Sequence, residues 1–149
     1  MQDITRALGA FVANLKFGAI PQEAHEVIHT GFADCVGVML AGAHEPPTTL
    51  LTEVLNPTAG PATLVFGSRT AQAPEAAWIN GVAAHALDYD DVALKGHPST
   101  VLVPAILAEA RVQGASAAEA AVSFSSALSV TVRMGEVETL EHHRQRGLG

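Results

Sequence analysis

Apolar residues recur every three or four positions along most of this chain. Proline and glycine cut that recurrence into pieces one helix long. Ile4, Leu8, Phe11, Val12 and Leu15 share one face, so the spacing predicts an amphipathic helix over 3–17. Pro21 stands where a first helical residue belongs, and a second helix is expected over 21–41. That helix is apolar on more than one face from Phe32 onward, and Gly42 is its stop. "PPTTLLTEVLNP" offers a short helix between Pro47 and Pro57. "ATLVFGS", residues 62–68, is the one strand-like run. A helix opens at Pro74 and is expected to run through "PEAAWINGVAAHALDYDD". Gly81 inside it costs stability, which suggests a closely packed neighbour. Ser99 or Thr100 is expected to cap a helix over 101–112, with Pro104 in its first turn and Gly114 after its end. Ser116 and Glu119 form an S-x-x-E capping box for a last helix to about residue 134, and the polar tail 136–149 is expected to fray. The sum is all-α: a helical, bundle-like domain with at most a short strand pair, and no internal repeat or linker in residues 1–149.

Such helices need a core, and hydrophobic residues make up 48% of the chain against 15% charged. That balance excludes disorder. It also leaves more apolar surface than a small monomer hides, which points to a partner subunit or a further domain. The net charge of −7 disfavours nucleic acid and anionic membrane as partners. Cys35 is the single cysteine, set among apolar neighbours, so a buried inert thiol in a reducing compartment is expected. The N-terminus lacks the pattern of a signal peptide, and a cytoplasmic location follows as the expectation. The most apolar window, "VIHTGFADCVGVMLAGA", contains His29 and Asp34 and reads as a buried helix rather than a membrane span.

Against this background "HALDYDDVALKGHPST", residues 85–100, concentrates acid–base groups. On a continued helix His85, Asp88 and Val92 line up, Asp91 lies close to the row, and Asp90 points away. Gly96 lets the following loop fold His97 back toward Asp88. Crowded carboxylates raise one another's pKa, while Lys95 or a protonated histidine lowers it, and proton-transfer sites use such tension. A solvated helix end whose acids meet a loop cation explains the same residues. Metal binding is a third reading, a hydrolase built on His85, Asp88 and Asp91. The H-x-x-D-x-D-D run matches no established ligand spacing.

The remaining candidates are weaker. His25 and His29, four apart, form either a polar stripe or a ligand pair. His44 has no partner in sequence. His142 and His143 sit in a basic tail with Arg144 and Arg146. Trp78 and Tyr89 read as core or pocket lining. No G-x-G-x-x-G, Walker A or G-x-S-x-G pattern occurs.

The stretch "NGVAAHALDYDDVALKGHPSTVLVPAILAEA", residues 80–110, resembles the MmgE/PrpD family, whose signature is N-G-x-x-x-H-x-x-D-[FY]-D-D followed by G-H-P-[SG] and P-A-x-L-A. "PQEAHEVIHTGFADCVGVMLAGA" resembles that family's second helix, and the likeness runs to about residue 135. The resemblance implies the helical domain of a homodimer whose second, smaller α+β lid domain is lacking here. It also implies a small polycarboxylate as substrate, with no metal and no organic cofactor. Family activities are 2-methylcitrate dehydration, cis-aconitate decarboxylation and iminodisuccinate epimerisation, all of which involve proton transfer at a carbon next to a carboxylate. By the motif Asp88 and His97 are the expected catalytic residues. His85, Asp91, Lys95 and Ser99 are the expected substrate-binding ones, Lys95 without a role carried over from the family.

Two departures stand out. Val92 occupies the place of a common threonine. "HHRQRGLG" resembles the family's H-x-x-R-G-F-H, with Leu148 and Gly149 in place of Phe-His. That histidine, the family's downstream lysines and the lid are missing, so the chain reads as an N-terminal part with no turnover of its own. A non-catalytic helical module that pairs with a partner chain is the rival reading.

Overall fold

The computed structural model describes residues 3–93 and 96–137. It contains α1 (Ile4–Asn14), α2 (Gln22–Ala41), α3 (Pro46–Leu55), β1 (Ala62–Thr63), β2 (Thr70–Ala71), α4 (Ala73–His85), α5 (Pro98–Gln113) and α6 (Ala117–Val137). Single 3-10 turns lie at Phe17–Ala19 and Gly42–His44. The architecture is all-α, with a two-stranded antiparallel hairpin on its side.

α4 is the central helix and packs on α2, α3 and α5. Ala76, Ile79, Ala83 and Ala84 are buried on it, and these mostly small side chains let its neighbours come close. Gly42, at the end of α2, touches it most tightly: a Cβ there would lie 2.0 Å from the Ala83 carbonyl oxygen. At Gly81 a Cβ would lie 3.3 Å from the Thr100 carbonyl oxygen on α5. The expected close neighbour of Gly81 is therefore α5. α2 is long and apolar enough to cross a membrane by length and composition alone. Here it packs on α4, α5 and α6, with Ile28, Cys35 and Met39 buried in a core that includes Val103 and Phe124.

Several boundaries differ from expectation, each for a local reason. α1 is capped by Asp3, whose side chain accepts from the Arg6 backbone N–H, and it stops at Asn14. The strand-like run 62–68 yields only two strand residues. The Val65 N–H does not continue the ladder but donates to Asn80 Oδ1 at 3.0 Å, while Asn80 Nδ2 donates to the Thr63 carbonyl at 3.1 Å. Asn80, buried in α4, thus clamps the hairpin to the core. α5 begins three residues earlier than expected, so Pro104 lies within it rather than in its first turn. Ser116 and Glu119 form the expected capping box, the hydroxyl accepting from the Glu119 N–H and the carboxylate from the Ser116 N–H at 2.8 Å. The expected fraying of 136–149 falls mostly on residues 138–149, outside the described residues.

Candidate active site

α4 ends at His85, not at Asp91. Ala86 and Leu87 make a turn, the Asp88 N–H donates to the His85 carbonyl, and Asp88 adopts a left-handed φ of 53°. Aspartate is among the few side chains that tolerate this conformation. The reversal ends the helical register, so the face expected to join His85, Asp88 and Val92 does not form. Val92 is 71% exposed.

Asp90 is the residue most changed by this. Helical spacing turns it away from the site, whereas the reversed chain carries it inward, and its side chain is fully buried. Its Oδ1 lies 3.0 Å from His85 Nδ1, and Oδ2 lies 3.3 Å from the same nitrogen. Oδ2 also lies 3.0 Å from His97 Nδ1, off the N–H direction, a close electrostatic contact rather than a formed hydrogen bond. The two imidazoles meet edge to face, with ring centroids 4.5 Å apart.

His97 Nε2 is 3.9 Å from Asp88 Oδ1, and the Asp88 side chain is 78% exposed. Asp88 and His97 therefore come together at an open rim, with Asp90 beneath. His85 joins them and also lines an open groove with Trp78 and Val101. The four residues His85, Asp88, Asp90 and His97 each offer a ligand atom within 4.8 Å of the others. That is the donor set a divalent ion could use. It replaces the expected His85, Asp88 and Asp91, because Asp91 turns elsewhere.

Asp91 and Ser99 bind each other. Asp91 Oδ1 accepts from the Ser99 N–H at 3.0 Å and Oδ2 from the Ser99 hydroxyl at 2.8 Å. The N-cap residue His97 makes no side-chain cap bond, so Asp91 caps α5 from across the loop. The expected cap by Ser99 or Thr100 is thereby corrected: Ser99 is inside the first turn and donates to the cap. Lys95 lies outside the described residues. Below, the Cys35 thiol donates to the Ser99 carbonyl at 3.4 Å. Burial first, then the charges of Asp91, Asp90 and Asp34, push its pKa up to about 12, which makes it the inert thiol expected.

His25 and His29 do not join the cluster. They line an apolar cleft of about 360 Å³ with Phe17, Ile28 and Phe32, and the His25 ring lies 4.6 Å from that of Phe17. The tail residues His142, His143, Arg144, Arg146, Leu148 and Gly149 are outside the described residues.

The residue that sequence reasoning missed is Asp90. The signal for it was Asp88, a type of residue able to take the left-handed conformation that ends a helix. Asn80 carries a local signal too. A poor helix former in the middle of a helix hints that its side chain has another task.

Set against known proteins, residues 6–148 match the family model described as the MmgE/PrpD N-terminal domain. No curated protein and no solved structure matches.

Proposed function

From the premise that this chain belongs to the MmgE/PrpD family, we propose that it serves a cofactor-independent lyase or isomerase of small polycarboxylates. The chemistry is proton transfer at a carbon next to a carboxylate, as in 2-methylcitrate dehydration. The observation that carries this reading is the 3.9 Å approach of His97 Nε2 to Asp88 Oδ1 at an open rim. A gap of that length between a ring nitrogen and a carboxylate lets a substrate proton pass to either. His97 is the acid–base group, and Asp88 positions or shares the proton. His85 contributes a second ring nitrogen on the groove side. In this reading the helical domain contributes the Asp88–His97 pair to the reaction.

Among the described residues the site is not strongly cationic. Two histidines face two carboxylates, Asp88 and Asp90, among the described residues.

The same reading includes a homodimer in the reducing cytoplasm. Trp78, Tyr89, Val92 and Val101 stay exposed near the site, and such apolar surface favours association. Light scattering of the purified chain tests the association; a stable monomer at high concentration counts against it.

The test of the central claim is a titration with tricarballylate or citrate, read on the His85 and His97 imidazole signals. Saturable shifts at both, absent with acetate, are expected. Unchanged signals would remove the proposal. The convergence of four donors favours a second reading, a divalent cation site. Elemental analysis of protein purified without chelator separates the two. Stoichiometric zinc, manganese or iron, lost in His85→Ala, selects the cation.

A further inference from the structure

We infer that Asp90 is the positioning residue of this site: it holds the proton of both imidazoles on Nδ1 and leaves both Nε2 atoms as the acceptors. The argument starts from burial. The Asp90 side chain has no exposure, and its close partners among the described residues are the two Nδ1 atoms. An ionised carboxylate accepts hydrogen bonds and donates none. At His85 a bare ring nitrogen 3.0 Å from it would set lone pair against lone pair, and at His97, where the contact lies off that axis, it would still hold two negative atoms 3.0 Å apart. Each Nδ1 therefore carries a hydrogen. For His85 the hydrogen bond is formed; for His97 the charge contact acts without good alignment. A neutral imidazole has one hydrogen, so its other nitrogen is left with a lone pair.

The consequence falls on His97. Its Nε2 faces Asp88 Oδ1 across 3.9 Å, and both are acceptors when the ring is neutral. That gap suits a group that brings its own hydrogen: a hydroxyl, or an acidic C–H next to a carboxylate. The link to catalysis rests on the proton-transfer reading above, whereas the tautomers themselves do not.

Asparagine makes a clean probe. It has nearly the shape of aspartate but one oxygen and one NH2. Whichever carboxylate position its oxygen takes, its NH2 takes the other, 3.0 Å from one of the two Nδ1 atoms. The imidazole that meets the NH2 must offer a lone pair, and so must move its hydrogen to Nε2.

The experiment is long-range 1H–15N NMR on 15N-histidine-labelled, chelator-treated 149-residue chain, at a pH where both rings are neutral. His85→Gln and His97→Gln variants assign the signals. Both rings are expected as the Nδ1–H tautomer in the natural protein, with one switched to Nε2–H in Asp90→Asn. A merely structural Asp90 would not move the tautomer while the fold persists, which circular dichroism checks. An Nε2–H tautomer at either ring of the natural protein overturns the inference. So does an Asp90→Asn protein with both rings unchanged. Should Asp90→Asn not fold, the natural protein's tautomers decide alone. If the tautomers are as expected and polycarboxylates do not bind, the proposed function fails and the role of Asp90 stands.

Discussion

The Asp91 carboxylate grips Ser99 with both oxygens, one on the backbone N–H and one on the hydroxyl, across eight residues of chain. The grip closes the loop that carries His97 and caps α5 at the same time. Asp91→Ala leaves an N-terminal donor of α5 without its partner and is expected to cost about 1–3 kcal/mol. Ser99→Ala removes only the hydroxyl bond and is expected to cost less. Urea unfolding of both variants and of the double variant checks this. Strictly additive costs would show that the two residues are not coupled.

Asn80 makes a second, independent clamp. Its side chain satisfies the Val65 N–H and the Thr63 carbonyl, and it is almost fully buried. Asn80→Ala leaves both backbone groups unpaired, an expected loss of about 1–3 kcal/mol. Asn80→Asp is expected to be worse, because it sets a carboxylate oxygen against the Thr63 carbonyl. Thermal unfolding should rank natural protein, Ala and Asp in that order. An Asp variant as stable as the natural protein would contradict the clamp.

These two residues show what was legible in the sequence. Helix number, the order of elements and the Ser116–Glu119 capping box follow from periodicity and local chemistry, and the structure has them. What periodicity could not supply is where a helix stops when the stop is a left-handed aspartate. Asp88 reverses the chain, and every side chain after it changes direction. Asp88 and His97 do approach each other, because Gly96 and the loop allow it. The reason they are held there, Asp90 from below and Asp91 on Ser99, is a set of contacts between separate segments. Spacing along one helix does not encode such contacts. Pro104 is a similar case: it is tolerated within α5, where its missing N–H leaves the Thr100 carbonyl next to Gly81 of α4.

Cys35 gives a pH prediction. Its folded pKa of about 12 lies above the ordinary thiol value of 9.0, so the folded state keeps a proton that the unfolded chain gives up. The thiol's contribution is fully present below pH 9 and is lost as pH rises toward 12, on the order of 4 kcal/mol in all. Stability of the natural protein should therefore fall more steeply than that of Cys35→Ala across this window. Parallel curves would contradict the burial of the thiol. Native protein at pH 8 should also resist iodoacetamide, with alkylation following only on unfolding.

The last prediction concerns Asp88 and His97. Asp88→Asn keeps a side chain that tolerates the left-handed backbone at φ 53°, so it removes charge without disturbing the turn. An alanine there would mix a backbone effect with a chemical one. His97→Gln keeps a polar side chain at the N-cap of α5, where the natural imidazole makes no cap bond, so the helix start should survive. Asp88→Asn, at an exposed side chain, is therefore expected to unfold within about 0.5 kcal/mol of the natural protein, whereas His97→Gln also takes a partner from the buried Asp90 carboxylate and is expected to cost more. Their chemistry should differ sharply. A positioned acid or base contributes about 10²–10⁴-fold to proton transfer. With the family's second domain present, turnover of a 2-methylcitrate-like substrate is read from the absorbance of the conjugated alkene acid. It should fall by that factor in either variant. The double variant should fall little further, because the two groups handle one proton and their losses are not additive. Exchange of the substrate C–H into D2O reports the same step without the elimination. Natural turnover in both variants, or losses that multiply in the double variant, would mean that Asp88 and His97 do not act on the same proton.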